Sequence, residues 1–251
     1  MSHRLYSDLA AWWPLFAPAG YYEEQAGYIL ALLDEVYPAK PRSILELGSG
    51  GGSMAFHLRD QADLTLVEPE DAMLNVCRRL NPGAEHVKGD MRSVRLNRLF
   101  DAVIIHDAIN YMTQVNDLVA ALTTARTHLR PGGLAMIFPD DTAETFAPST
   151  HNGGQDDFVT GRGLRYLSWS RPVVDSRYTV DFAIMLRSKD GSVELVHDRH
   201  TFGVFSRATW RDAFRQAGFP ELDIRPDKWR EDVFLARAGL HDKAGHGLDV
   251  A

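Results

Sequence analysis

The stretch Ser43-Ile44-Leu45-Glu46-Leu47-Gly48-Ser49-Gly50-Gly51-Gly52 sets a short apolar run directly against a glycine-rich turn. An apolar run of this length bounded by glycines reads as a buried strand, and Met54 to Arg59 beyond it reads as the helix that follows. Glycines permit a sharp turn and let the backbone approach a ligand, and open α/β sheets bind ligands beyond the carboxyl ends of their strands. Strand, glycine turn and helix in this order predict a parallel sheet with a ligand site at its edge.

Outward from that turn the chain keeps the same alternation. Leu64 to Val67, Ala84 to Val87, Asp101 to His106 and Leu134 to Phe138 read as strands. Between and before them lie helical segments. Glu23 to Val36 repeats apolar residues at Ala26, Ile29, Leu30, Leu33 and Val36, Asp71 to Leu80 carries an acid at its start, and Asn116 to Leu129 is closed by Arg130-Pro131-Gly132-Gly133. Strands alternating with helices at this spacing predict a parallel sheet covered on both faces.

After Pro139 the pattern changes. Thr142 to Gly163 is polar and loop-like, with His151-Asn152-Gly153-Gly154 as a turn cluster. Three β-rich runs follow, Leu164 to Arg171, Arg177 to Arg187 and Val193 to Val204, and the Asp190-Gly191 pair between the last two is a hairpin signal. Ser206 is placed to cap a helix running to Ala217-Gly218, and Glu221 to Ile224 and Asp232 to Ala236 supply two last strands. The expected division is an N-terminal cap and first helix over 1–40, an α/β core over 41–141 and 205–238, a β-rich insertion on the substrate side over 142–204, and a flexible tail over 239–251.

Composition bounds the function classes. The 251 residues are 45% hydrophobic and 24% charged, as in an ordinary globular protein, and no apolar stretch is long enough to span a membrane. The start has no charged flank and apolar core of a leader, so a cytoplasmic location is expected. A net charge of −7 without a dense Lys/Arg cluster argues against a nucleic-acid binder. The single cysteine, Cys77, has no partner for an internal disulfide and reads as a buried apolar residue. A monomer or homodimer acting on a small molecule, with neither nucleic acid nor membrane as partner, is the expectation.

Two classes of adenosine-containing cofactor fit the glycine turn. Glu68 closes the second strand about 20 residues beyond the first glycine, where an acid accepts hydrogen bonds from both ribose hydroxyls. An NAD-dependent enzyme carries the same acid. A dinucleotide's pyrophosphate, however, calls for a complete Gly-x-Gly-x-x-Gly turn at a helix start, and here Ser53 stands at the last position. S-adenosylmethionine has no phosphate but a sulfonium and an amino-acid part, and Glu46 before the turn suits a cationic ligand.

The segment Glu46 to Gly52 resembles motif I of the class I S-adenosylmethionine-dependent methyltransferases. Val67-Glu68-Pro69-Glu70-Asp71-Ala72-Met73-Leu74 resembles their acidic second motif, Gly89-Asp90-Met91 their third, Asp101 to His106 their fourth strand, and Leu129 to Gly133 the turn before the fifth. The resemblance implies a Rossmann-like, seven-stranded, mostly parallel sheet with helices on both faces, here with an antiparallel β insertion after the fifth strand. It also implies that Glu46, Gly48, Ser49 and Gly50 hold the amino-acid part of the cofactor, that Glu68 binds ribose with Pro69 beside it, and that Met73 packs near adenine. Gly89, Asp90 and Met91 would then meet the adenine ring, with Asp90 on its amino group.

A narrower resemblance is to small bacterial aminosugar N-methyltransferases. It rests on Lys88-Gly89-Asp90-Met91-Arg92, on Glu144-Thr145-Phe146, and on the β-rich insertion ahead of Phe205 to Gly218. These enzymes lay a tyrosine near each end of the N-terminal segment over the cofactor, and Tyr6 and Tyr22 are the matching positions. The sequence departs from the pattern at His106-Asp107-Ala108-Ile109-Asn110-Tyr111.

Methyl transfer from a sulfonium is an in-line displacement that depends on positioning, with an amine arriving neutral and a hydroxyl needing a base. His106 and Asp107, just past the fourth strand, are the candidate catalytic residues; for His106 lining of the cofactor site is the favoured reading over proton acceptance, and Asp107 reads equally as a helix cap. Tyr111, Trp12 and Trp13 read as packing, Tyr6 and Tyr22 as a lid that excludes water, and Tyr166, Trp169 and Phe182 as packing of the insertion. No metal is expected, since His197 and His200 on one strand point to opposite faces. The expected activity is N-methylation of a small amine, with O-methylation possible. A NAD-binding oxidoreductase or a non-catalytic adenosylmethionine-binding protein is the alternative.

Overall fold

A computed structural model describes residues 3–37, 43–227 and 232–239. The chain opens with short turns of 3-10 helix at Arg4–Tyr6, Ala10–Trp12 and Ala19–Tyr22 around α1 (Trp13–Phe16), then enters α2 (Glu23–Val36). The core follows as β1 (Ser43–Leu47), α3 (Ala55–Leu58), β2 (Asp63–Glu68), α4 (Asp71–Leu80), β3 (Glu85–Lys88), β4 (Phe100–His106), α5 (Val115–Thr127) and β5 (Leu129–Phe138). Then come β6 (Thr150–Gly153), β7 (Gly163–Ser170), β8 (Arg177–Arg187) and β9 (Val193–Gly203), and the chain closes with α6 (Arg207–Gln216), β10 (Leu222–Pro226) and β11 (Asp232–Arg237).

Seven strands form the main sheet in the order β10-β11-β5-β4-β1-β2-β3. All contacts are parallel except those of β11, which runs antiparallel to both β5 and β10. Alternation along β1 shows why both faces must be covered. Ile44 packs with Ala26, Ile29, Leu33 and Leu58 of α2 and α3, whereas Leu45 and Leu47 pack toward Leu118, Leu122 and Trp210 of α5 and α6. The apolar residues of β1 are divided between the two layers, so neither face could be left to water without exposing the core.

The sequence of crossovers reverses at β1. From β1 the chain steps outward through β2 and β3, then returns to lay β4 on the other flank of β1. At such a reversal the two loops leaving adjacent strands diverge and open a crevice. The glycine turn after β1 and His106 at the end of β4 therefore become neighbours by topology.

The second sheet is antiparallel, in the order β6-β7-β8-β9. Its inner face holds Leu164, Ile184, Leu186 and Val196 against Leu5, Leu9 and Leu15 of the N-terminal segment. That segment also buries Ala10 on Met73 and Val76 of α4, so the cap bridges both sheets. Asn110 makes a further joint: its side-chain amide donates to the carbonyls of Asp141 and Gly203, and its carbonyl accepts the Asp140 amide.

Three expectations change. The polar segment Thr142 to Gly163 contains β6, paired from Thr150↔Trp169 to Gly153↔Tyr166; its side chains are polar or absent, so no hydrophobic alternation announced it and backbone pairing alone creates it. The helix expected to Leu129 ends at Thr127, and Leu129 through Gly133 already belong to β5, with a register break opposite Phe100 and Ala102. The segment expected as a helix from Met54 is a single turn over Ala55–Leu58. Ser206 caps α6 as expected, its Oγ accepting the Thr209 amide at 3.2 Å. The expected tail falls, from residue 240 on, outside the described residues.

Candidate active site

The turn after β1 is held by two amides of its own: those of Gly48 and Ser49 donate to the carbonyl of Val67 on β2, at 2.8 and 3.0 Å. Gly48, Gly50 and Gly52 all have positive φ, which side chains disfavour. Space forbids a side chain as well. A Cβ on Gly48 would stand 2.5 Å from Cβ of Ala108, and one on Gly51 would stand 2.1 Å from the Trp13 indole. Beneath Gly52 lie Asn81 and Cys77, and burial raises the Cys77 thiol to about 12, so it packs as a neutral group.

A cavity of about 810 Å³ opens at the crossover point, over this turn and beneath the N-terminal cap. Glu46, Gly48, Ser49 and Gly50 line its floor, with Glu68 and Pro69 at the end of β2 and Asp90 and Met91 beyond β3. His106 and Asp107 line it from β4, and Tyr6 and Tyr22 close it from the cap. Met73 and Gly89 are not in the lining. Met73 is fully buried with its Cε 3.8 Å from the Gly50 Cβ position, supporting the turn from below. Gly89 is a close-approach glycine, where a Cβ would meet Val94 at 2.9 Å.

The charges are arranged for a cation. Glu46 is 3% exposed, and its Oε2 has no hydrogen-bond partner. Burial raises its carboxyl to about 7, with His106 opposing that rise. Glu68 is also raised to about 7 by burial, although it accepts the amides of Gly50 and Glu70, both at 3.0 Å. A buried carboxylate oxygen without a donor is costly unless a ligand supplies one. Asp90 is different: the Arg92 guanidinium grips it and holds it below the usual carboxylate range, and Arg92 reaches Asp117 as well.

His106 Nδ1 lies 3.2 Å from Asp107 Oδ2, and its ring packs against Tyr22 and Phe138. Asp107 has φ +57° and ψ −42°, a strained conformation for a residue with a side chain, at the point where the chain leaves β4 for the cavity. It precedes a 3-10 turn at Ala108–Tyr111 without a side-chain cap bond, so the helix-cap reading does not hold and the carboxylate faces His106.

Two residues read as packing belong to the cavity wall. Trp13 lines it and closes over Gly51. Tyr111 lines it too, its hydroxyl 2.6 Å from that of Tyr6 and 2.6 Å from His200 Nδ1. Sequence periodicity treats an aromatic in a short turn as core, and neither contact is local. His3, Asp140, Thr201 and Phe202 complete the wall without any motif to mark them. His197 and His200 do face opposite sides of β9, with side-chain exposures of 61% and 1%.

A doubly wound sheet, a glycine turn at the crossover point and an acidic cavity with an unpaired buried carboxylate oxygen together define a nucleoside-cofactor enzyme whose ligand is positively charged. Comparison with known proteins gives the class. Residues 44–133 match the methyltransferase domain family. The dTDP-3-amino-3,4,6-trideoxy-alpha-D-glucopyranose N,N-dimethyltransferase of Streptomyces venezuelae is 30% identical over 181 residues, 70% of this chain and 74% of that protein. The dTDP-3-amino-3,6-dideoxy-alpha-D-glucopyranose N,N-dimethyltransferase of Streptomyces fradiae is 28% identical over 199 residues, 78% and 77% of the two chains. Among solved structures, that of DesVI from Streptomyces venezuelae superposes with a TM-score of 0.82 at 25% identity, covering 92% of this chain and 99% of that one.

The chain belongs to the class I S-adenosylmethionine-dependent methyltransferase family. It is a methyltransferase with S-adenosylmethionine as its cofactor.

Proposed function

We propose that the protein N-methylates the amine of an aminosugar. The observation that carries this reading is the sign of the cavity: Glu46, Glu68, Glu70, Asp90, Asp107 and Asp140 line it, while Arg92, the one lining arginine among the described residues, is engaged by Asp90 and Asp117. Such a field attracts a cationic cofactor and an amine, and repels an anionic nucleophile. The relatives described above act, by their names, on dTDP-linked aminosugars.

Bound in this cavity, the cofactor supplies a methyl group on a positively charged sulfur. Glu46 would hold the cationic amino-acid part, Glu68 and Pro69 would border the ribose, and Asp90 and Met91 the adenine, with Gly48, Ser49 and Gly50 offering backbone where a side chain would intrude. Met73 and Gly89 would act from behind, as supports of the turn and of the loop after β3. Tyr6, Tyr22 and Trp13 keep water out, which strengthens every charge interaction inside. His106 and Asp107 form the polar edge at which the acceptor arrives, and His106 serves the lining role with Glu46 beside it. Residues 142–204 would act as the acceptor-side insertion and residues 1–40 as the cap.

A neutral amine needs no base before transfer, so positioning is the enzyme's main contribution. No helix among the described residues is long and apolar enough to cross a membrane. We take the enzyme to act as a cytoplasmic monomer or homodimer on a small molecule, with no nucleic-acid partner.

The test is incubation with S-adenosylmethionine and dTDP-3-amino-3,4,6-trideoxy-α-D-glucopyranose, followed by mass spectrometry for one and two added methyl groups. Transfer to hydroxyl compounds alone, with every aminosugar untouched, would overturn the reading. NADH should fail to displace adenosylhomocysteine, and displacement would revive the oxidoreductase alternative.

A further inference from the structure

A hydrogen-bonded chain runs from the cavity into the second sheet. Asp198 and His200 stand two residues apart on β9, both buried on the face turned to the cap. Asp198 Oδ2 accepts the backbone amide of Leu5 at 2.9 Å and lies 3.0 Å from His200 Nε2. His200 Nδ1 is 2.6 Å from the Tyr111 hydroxyl, which is 2.6 Å from the Tyr6 hydroxyl. Both tyrosines line the cavity.

The chemistry of the groups fixes the direction of every bond. Burial pushes Asp198 up, but the Leu5 amide and His200 outweigh it and hold the carboxyl below its ordinary value, so it is ionised and can only accept. His200 must then carry its hydrogen on Nε2. Burial, with His3 adding to it, brings His200 down to about 4, so the ring is neutral and Nδ1 is an acceptor. Tyr111 therefore donates to His200 and accepts from Tyr6. Tyr6 spends its only hydrogen on Tyr111, and its oxygen is left as an acceptor.

We infer that Asp198 and His200 are positioning residues that act through Tyr111 to hold Tyr6 as an acceptor-only oxygen, which takes an N–H of the acceptor amine and leaves the amine lone pair free. This rests on the N-methyltransferase reading. A freely rotating tyrosine could donate to the lone pair and block the attack. The contact is open to the neutral primary and secondary amines that take the methyl and is lost in the neutral dimethylamine; each transfer yields an ammonium, whose proton passes to water before the next methylation. The chain does not act as a proton sink. An alkyl ammonium titrates near 10, and passing its proton to a ring that titrates near 4 runs uphill by several pKa units. Asp107, Asp140 and Glu68 also bear on Tyr6 from the core, and burial keeps the Tyr6 and Tyr111 hydroxyls protonated.

The same residues invite a metal reading, because ligand atoms of His3, Asp198 and His200 lie within 4.8 Å of one another. The His3 and His200 rings, however, lie face over face, 4.0 Å between centroids and 31° between planes, so their nitrogens do not converge on one point. Both nitrogens of His200 also have partners already.

The experiment has two arms on the full chain. In the first, imidazole nitrogen NMR of the adenosylhomocysteine complex should find His200 protonated at Nε2, and Tyr111→Phe should shift its Nδ1 resonance toward that of an unbonded nitrogen. A hydrogen on Nδ1 overturns the inference. In the second, methyl transfer to dTDP-3-amino-3,4,6-trideoxy-α-D-glucopyranose is measured for His200→Phe and His200→Asn. The phenylalanine removes the acceptor and should lower kcat/KM about 30-fold, the scale of one lost buried hydrogen bond. Asparagine can place its carbonyl oxygen near the position of Nδ1 and should recover most of that loss, with adenosylhomocysteine affinity unchanged in both. Equal losses in the two variants would mean a packing role only, and loss of activity to a chelator with recovery on added zinc would mean a metal site; either overturns the inference. If the wild type leaves the aminosugar untouched, the aminosugar proposal fails by itself, and the nitrogen tautomer still decides the polarity of the chain.

Discussion

The Gly50 amide donates to Glu68 Oε2 at 3.0 Å, tying the turn after β1 to the end of β2 through a carboxylate that is nearly buried. The second oxygen of Glu68 accepts the amide of Glu70. One acid thus holds the glycine turn and borders the cavity. Glu68→Ala removes both acceptors and should weaken adenosylhomocysteine binding by one to two orders of magnitude, while lowering stability by about 1–3 kcal/mol for the amides left unpaired. Calorimetric titration and urea unfolding read the two effects separately. Binding unchanged within twofold would remove Glu68 from the cofactor site.

Glu46 should make the free enzyme less stable and the complex tighter as pH rises. Its carboxyl is raised to about 7 from an ordinary 4.5, so the folded protein binds more protons than the unfolded chain between these values. Stability contributed by this group is present below about 4.5 and falls as pH climbs through 7, by about 3 kcal/mol at most. A cationic ligand reverses the sign by favouring the ionised form. Glu46→Gln should therefore raise the melting temperature of the free protein at pH 8, weaken cofactor binding, and flatten its dependence on pH near 7. A glutamine variant that binds as tightly as wild type at pH 8 would contradict this assignment.

Gly51 should be intolerant of alanine although its backbone is ordinary. The added Cβ would lie 2.1 Å from Cδ1 and 2.4 Å from Nε1 of Trp13, so the cap must move. We expect Gly51→Ala to expose residues 3–22 to limited proteolysis, alter tryptophan emission and cost about 1–3 kcal/mol, the usual range for an overpacked contact. A proteolysis pattern like that of the wild type would show that the cap does not depend on this contact.

Asn110 should matter more to stability than its place in a single 3-10 turn suggests. Its amide joins the backbone after β5 to the end of β9, and Asn110→Ala would leave a buried amide and two carbonyls without that partner. A loss of about 2–4 kcal/mol in urea unfolding is expected, with methyl transfer falling further than cofactor binding because the displaced segments carry Asp140 and Thr201. Equal falls in both would place the effect on the whole fold.

Much of the fold was legible because its signals are local. The apolar run Ser43 to Leu47, the glycines after it and the alternation of strand and helix reflect short-range backbone preferences, and these placed the main sheet and the acids Glu46, Glu68 and Asp90 at one edge. Strand β6 escaped because Thr150-His151-Asn152-Gly153 has no hydrophobic period and exists only by pairing with β7. Trp13 and Tyr111 look like packing in the sequence because composition cannot distinguish a ring that faces other side chains from one that faces a cavity.

By itself, then, the sequence determined the class of fold, the glycine turn and the cationic character of the cofactor, since each follows from residues within a few positions of one another. Tertiary structure alone decided the run of contacts from Tyr6 through Tyr111 to His200. Tyr6 meets Tyr111 across 105 positions, and Tyr111 meets His200 across 89. Their hydroxyls come within hydrogen-bonding distance because the cap packs simultaneously on α4 and on the inner face of the second sheet. No periodicity records such a meeting, because the burial of apolar residues elsewhere in the cap is what drives it.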